Sequence, residues 1–579
     1  MTTIPPGTPR PLTPLPHPPG LGRRAFLHQL AAVGMFPVGV SALASCSGDS
    51  ASAPETSAAG SAGSESVEPS FATGEIPGPP WEGGTRGGTG LAVWEDDTLV
   101  LDPPLAYGTG DYYCMQNFYR GLTFIGLDAE PQLDLAESVD ISDDGLTYTF
   151  TLRSGVTFHN GRQLTSADVK YTLERSSSVD IASWVQNFLS AVEGHEAFVA
   201  GDAEEITGIS TPDDRTVTLT LTRADVTILL VVGIPPFYIL PQEEVEAAGE
   251  NWPQTAVGTG PYVLADYDGS NRVLTLERFD GYVYGDRLPY FDTIEWRWGV
   301  GPDLQYLQVD RGEADVTVVV PPSVTEEIAS DPAKAQRLQT WNSFSLFWWE
   351  FDVTSPPFDN PLVRQAVNHA FDGSKLEPIG FSVTKHFWPE GLLGFDDSLP
   401  VYEYDPDKAR SLLAEAGVSG LSVKLGSVSS TPKQSRAAEL LAQDLEAVGI
   451  TVEIVPTEES IFDIGVDAGN RFDLWNKGWG IGLPDPSELT ASLIGTGAPS
   501  NFGGFGNSEI DELAAAAVAE VDRDARGESY ATVERLLVEE APFVFVGVET
   551  RLTYTSERLR NFLWEPALWA YWDRLWAEG

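Results

Sequence analysis

The stretch of this sequence that most constrains its fold runs from Leu146 to Arg175. Leu146-Thr147-Tyr148-Thr149-Phe150-Thr151-Leu152 alternates apolar and polar residues without a break, which puts every large apolar side chain on one face of a half-buried strand. Gly155-Val156-Thr157-Phe158-His159-Asn160-Gly161 then supplies turn chemistry, with Asn-Gly as its strongest element. Thr165-Ser166-Ala167-Asp168 has the pattern of a capping box and predicts a helix to about Arg175. Strand, turn and helix in so short a span call for a sheet covered by helices.

The same alternation recurs downstream. Asp405-Pro406 opens a second helix, with Asp as its cap and Pro in its first turn; Leu412, Leu413 and Ala416 share a face, and Gly417 closes it. Gly449-Ile450-Thr451-Val452-Glu453-Ile454 reads as a strand, and Gly258-Thr259-Gly260 as a tight turn before another at Tyr262-Val263-Leu264, since it lacks the lysine and length of a phosphate loop. Interleaved strands and helices place the chain in the α/β class. No fixed-period repeat occurs.

Length and charge set outer bounds. A chain of 579 residues is too long for one compact core and divides into two or three folding units. After residue 50 no apolar run reaches the roughly 20 residues that span a bilayer. With 85 acidic and 35 basic residues the formal charge is −50, which repels phosphate backbones and excludes nucleic-acid binding; the acidic excess reads as a solvated surface. The two cysteines are Cys46 and Cys114, and no Cys/His cluster has zinc spacing, so no metal or cofactor is expected.

Residues 1–46 read as an export signal: Arg23-Arg24 precede a short apolar stretch that ends in Leu43-Ala44-Ser45-Cys46. The paired arginines followed by x-Phe-Leu resemble a twin-arginine signal, and the last four residues resemble a bacterial lipobox, in which Cys46 carries the lipid. Residues 47–88, rich in Ser, Ala, Gly, Pro and Glu, bury too little apolar area to offset ordering entropy and are expected to form a flexible tether. The expected location is extracytoplasmic, lipid-anchored to the cell membrane.

Four blocks resemble the extracellular solute-binding family 5 of peptide and nickel ABC importers. They are Leu135-Ala136-Glu137-Ser138 with residues 144–161 and 165–169; Val257-Gly258-Thr259-Gly260-Pro261-Tyr262 with Tyr282 and residues 312–316; Pro357-Phe358-Asp359-Asn360 with residues 363–372; and Tyr404-Asp405-Pro406-Asp407-Lys408-Ala409-Arg410 with Leu412-Leu413 and Ala416-Gly417. The resemblance implies a two-lobe periplasmic-binding-protein type II clamshell with a discontinuous first lobe. Residues 89–298, completed by 545–579, would form lobe I and residues 299–544 lobe II. It also implies a monomer that hands a small solute, a peptide among the candidates, to an ABC permease without chemistry of its own. A secreted hydrolase and an importer-independent surface receptor remain the alternatives.

The resemblance places ligand contacts at Thr109 and Tyr113 in an early loop, at Trp348 and Trp349, and at Trp479 and Gly480. Peptide-binding members carry an aspartate in a Gly-Trp-x-x-Asp arrangement that pairs with the peptide ammonium. Here Gly482 stands in that place, and Asp485 is the candidate substitute. His159 in the Phe-His-Asn-Gly turn is expected to be structural. The carboxylates in the motif blocks read as caps and turns, and no catalytic residue is assigned. No histidine follows His386, whereas nickel-binding members use a late one. The C-terminal tryptophans 564, 569, 572 and 576 are expected to pack against lobe I.

Overall fold

The computed structural model describes residues 84–126, 128–285, 288–429, 432–457, 471–562 and 571–578. The export signal, Cys46, the tether as far as residue 83, Trp564 and Trp569 lie outside the described residues.

The folded body opens with β1 (Thr89–Val93). A four-stranded antiparallel sheet follows, made of β2 (Ala136–Ile141), β3 (Thr147–Leu152), β4 (Ile209–Asp213) and β5 (Thr216–Thr220) in the spatial order β2-β3-β5-β4. β6 (Tyr262–Asp268), β7 (Val273–Arg278) and β8 (Thr293–Arg297) then return the chain to β1, which pairs parallel with β8. β9 (Val316–Thr317), β10 (Leu338–Phe351), β11 (Phe381–Val383), β12 (Leu421–Val428), β13 (Ile450–Thr457), β14 (Leu474–Gly480) and β15 (Phe543–Thr555) complete a single large mixed sheet. Its order is β13-β12-β14-β10-β15-β9-β1-β8-β7-β6, with β11 paired to β15. The α/β expectation therefore holds.

Local signals act where the residues place them. Thr147–Leu152 alternates between half-buried threonines and the buried Tyr148, Phe150 and Leu152. The helix Ser166–Ser177 starts behind Thr165, whose backbone N–H donates to Asp168 at 2.9 Å. Asp405 caps the helix Pro406–Glu415 by accepting from the Lys408 N–H at 2.9 Å.

His159 shows why the turn motif and the Gly-Thr-Gly motif belong together. Its Nδ1 accepts from the Gly258 N–H at 3.2 Å, and its Nε2 lies 3.1 Å from the Gly260 carbonyl. That pairing requires a neutral ring with its proton on Nε2, and burial pulls its pKa down to about 4. A Cβ at Gly258 would meet the Phe118 carbonyl oxygen at 1.8 Å, so only glycine lets the two backbones approach. The structural reading of His159 stands.

Apolar burial falls into several clusters. The largest gathers β1, β3, β5, β7 and β8 with Tyr113, Trp296 and Trp572. Two more lie on opposite faces of β10 and β15. Phe347, Trp349 and Phe351 point to one, with Val544 and Val546. Leu346 and Trp348 point to the other, with Phe543 and Phe545. The period-2 geometry of a strand covered on both faces accounts for this split. Between them, Val93, Tyr306, Val309, Ile328 and Tyr554 form a smaller cluster where β10 and β15 run past β9 toward β1.

Candidate functional site

The site is built where the first core meets the segment after β14. That strand ends in Gly478-Trp479-Gly480, held in register with Phe347, Leu346 and Ser345 of β10. The Trp479 indole N–H donates to Glu488 Oε1 at 2.9 Å, and the Leu483 N–H donates to Glu488 Oε2 at 2.5 Å. One carboxyl thus ties both ends of the loop 479–483. Leu483 packs into the first core. Trp184, also packed against that core, lies over Gly482: a Cβ there would stand 3.3 Å from the Trp184 ring and 3.9 Å from Glu488 Oε2. The Trp184 N–H donates to the Ala106 carbonyl at 2.8 Å. This bond fixes the ring beside Tyr107, which is 78 % exposed.

Burial pushes the Glu488 carboxyl up to about 7, against the two N–H donors that favour its charged form. An unperturbed glutamate ionises near 4.3. The folded state therefore holds this proton more tightly than the unfolded one, and the stability it contributes is complete below about pH 4 and is lost as pH rises through 7. Because the carboxyl bonds the Trp479 indole, the indole reports the titration. Tryptophan emission of the native protein is expected to change with a midpoint near neutrality, and Glu488→Gln should flatten it between pH 5.5 and 8.5. An unchanged titration in that variant removes Glu488 as its source.

The residues singled out from sequence scatter across this geometry. Trp479 is half-buried and Gly480 exposed, both on the loop just described. Thr109 is half-buried at the start of the helix Thr109–Met115. A Cβ at Gly110 would meet the Trp94 indole at 2.1 Å, so glycine there lets the helix lie against that ring. Tyr113 is buried, edge-on to Trp296 at 4.9 Å. Trp348 and Trp349 are 2 % and 0 % exposed, on opposite faces of β10. These three aromatic side chains are buried and leave no exposed surface to a solute in this structure. Asp485 is also buried: Arg526 Nη2 donates to its two oxygens at 3.0 and 2.7 Å, and the Ser487 N–H donates to Oδ1 at 2.9 Å. Its charge is committed inside the protein, and the carboxyl nearest the Gly482 position is that of Glu488.

Sequence reasoning missed Trp184 and Glu488, neither of which stands in a motif.

A family model described as bacterial extracellular solute-binding proteins, family 5 Middle, matches residues 130–501. The chain is similar to the glutathione-binding protein GsiB of Salmonella typhi, with 28% identity over 479 residues covering 80% of this chain and 89% of that protein. It is similar to the dipeptide-binding protein DppE of Bacillus subtilis, at 25% over 505 residues and 84% and 90% coverage. Its fold matches that of HbpA2 from Haemophilus parasuis with a TM-score of 0.74 and 22% identity, over 85% of this chain and all of that one.

Proposed function

The chain belongs to the bacterial extracellular solute-binding proteins, family 5, and we propose that it is the substrate-binding component of an ABC importer. It captures a peptide or another polar small solute between two lobes and delivers it unchanged to a membrane permease. The observation that carries the reading is the loop 479–483, anchored through β14 beside β10 and seated against Trp184 and the first core. A loop so placed changes its contacts when the lobes rotate, so solute bound there biases the open–closed equilibrium.

Lobe I follows the first core and lobe II the two cores flanking β10; β10 and β15, which run between them, serve as the hinge. Thr109, Tyr107 and Trp184 face the solute from one side, Trp479 and Gly480 from the other. Gly482 leaves no aspartate for a free ammonium, so the solute is a peptide with a blocked amine or a different polar molecule. The sequence at Leu43-Ala44-Ser45-Cys46 supports lipid attachment, with the following segment as tether for a monomeric body outside the cytoplasm.

A thermal-shift screen across peptides, sugars and their derivatives tests this. A binding protein gains melting temperature with its solute by mass action and consumes none of it. Trp479→Ala is expected to weaken the best solute by more than about 1 kcal/mol, because aromatic anchors carry much of the contact energy in such sites. Product formation, or affinity unmoved by that substitution, counts against the assignment.

A further inference from the structure

Two short segments rooted in the first core reach out of it and touch the elements around the core that holds Trp348. One is the turn of the hairpin formed by Thr123–Ile125 and Pro131–Leu133. Ile125 and Leu133 sit in the first core, but Ala129 is 5 % exposed and packs in the cluster of Trp348, Ile510 and Ala517. Its φ of +62° is left-handed, a conformation that alanine keeps only where its surroundings impose it. Beside it, Glu130 accepts from Arg523 Nε at 2.7 Å. The other segment is the turn at residues 225–227, tied to β3 by the Tyr148 hydroxyl, which donates to the Asp225 carbonyl at 3.2 Å. Here the Val226 N–H donates to the Val518 carbonyl at 3.0 Å. Val518 lies in the last turn of the helix Ser508–Ala519, where carbonyls have no partner within their own helix.

The exchange runs both ways, since Leu483, just beyond β14, packs into the first core. Neither these segments nor Val518 and Arg523 belong to β1, β9, β10 or β15, the strands through which the large sheet passes from one set of cores to the other. In a clamshell that turns about those strands, contacts away from them form on closing and part on opening. All of them are made between groups of the chain itself. Arg526 fixes the receiving side. Its Nε donates to the Ala517 carbonyl at 2.8 Å while its Nη2 holds Asp485 at 2.7 Å, so the end of the helix Ser508–Ala519 and the loop after β14 stand on one support.

We infer that Ala129, Glu130 and Val226 form a latch with Val518, Arg523 and the core behind them, and that this latch favours the closed arrangement of the two lobes without help from a solute. It rests on the two-lobe solute-binding reading and adds a bias to it: solute binds a protein already inclined to shut. The parts differ in weight. An exposed pair such as Glu130 and Arg523 shifts an equilibrium by no more than about fivefold. Position 129 is less forgiving, because a charged side chain there cannot enter the apolar core that receives the methyl group.

Hydrogen exchange of the whole protein, with no solute added, tests the latch, because the Val226 amide exchanges only when the seam parts. Slow exchange of the segment around Val226 is expected in the native protein. Arg523→Glu sets a like charge against Glu130 and should speed that exchange about two- to fivefold. Arg523 opens the helix Arg523–Glu540, where a glutamate suits the helix dipole, so the helix itself is not weakened. Reversing both charges, Glu130→Arg with Arg523→Glu, should return the native rate. Ala129→Glu should speed exchange at least about tenfold. None of these substitutions lies on the turn that carries Val226, so a faster Val226 amide means that the seam opens as a unit. Exchange over Thr147–Leu152, inside the first core, should stay unchanged. A Val226 amide that exchanges at the unprotected rate in the native protein, or one indifferent to both Ala129→Glu and Arg523→Glu, overturns the latch and leaves the solute-binding reading to the thermal-shift screen. Acceleration shared by Thr147–Leu152 reports unfolding of the first core and also overturns it.

Discussion

Arg120→Met is expected to destabilise the protein by about 3–5 kcal/mol, the cost of leaving buried carboxylates without their cation. Arg120 Nη2 donates to Asp573 at 2.6 Å, its Nε and Nη2 reach the Tyr282 hydroxyl at 3.1 and 2.9 Å, and its Nη1 donates to the Gln116 carbonyl at 2.9 Å. Asp134 lies 3.5 Å from Nε, and both carboxylate side chains are less than 5 % exposed. This one guanidinium joins the early helix region, the turn around Tyr282 after β7 and the C-terminal segment, whose Trp572 fills the first core beside Tyr113. Burial already pushes Asp134 up to about 6, with Arg120 opposing it. The methionine variant removes that opposition, so the carboxyl prefers its proton still more strongly in the folded state. A group of that kind contributes stability that is complete at low pH and is lost as pH rises through its folded value. The deficit of Arg120→Met should therefore be largest above pH 7 and shrink toward pH 5. Urea unfolding at several pH values measures it. A deficit independent of pH would mean that packing, and not charge, is what Arg120 supplies.

That network was invisible in the sequence, for a plain reason: Arg120 and Asp573 are 453 positions apart, and nothing in either neighbourhood announces a partner. What was legible was local. The alternating strand at Thr147–Leu152, the cap at Thr165 and the cap at Asp405 depend on residues within one turn or one pleat of each other, and each formed where it was read. The structural role of His159 was legible through the family resemblance of its turn, but not its neutral state, which follows from its acceptance of the Gly258 N–H about a hundred positions away.

The aromatic run Phe347-Trp348-Trp349 shows where local reasoning stops. A run of that kind is equally compatible with a cleft wall and with a strand covered on both faces, and only the neighbours that cover it decide. Here Phe371 packs against Trp349 at 5.3 Å on one side and Phe387 against Trp348 at 5.9 Å on the other. Trp479, in a strand of similar composition, is half-buried because the sheet gives way to a loop there. Glu488 was passed over because a glutamate is remarkable only once it is buried.

Asp485 is where the two levels disagree most sharply, and it gives a decisive experiment. From sequence it is the candidate substitute for the missing aspartate, with a loop-shaping role in its Pro-Asp-Pro turn as the alternative. In the fold it is 2 % exposed and held by Arg526 through both oxygens, while Arg526 Nε donates to the Ala517 carbonyl at 2.8 Å. Asp485→Ala strands a buried guanidinium and removes the acceptor for the Ser487 N–H, so a loss of about 3–5 kcal/mol is expected. Removing both charges is expected to hurt less than removing one: Asp485→Asn combined with Arg526→Met keeps an acceptor for Ser487, leaves no unpaired charge inside, and should recover more than half of that loss. Chemical denaturation of the two single variants and the double variant gives the coupling directly. A ligand role makes the opposite forecast, in which Asp485→Ala melts within about 1 kcal/mol of the native protein and fails only when solute is added. The bidentate pair argues for the first result, because a carboxylate that has given both oxygens to an arginine has little charge left to offer a passing solute.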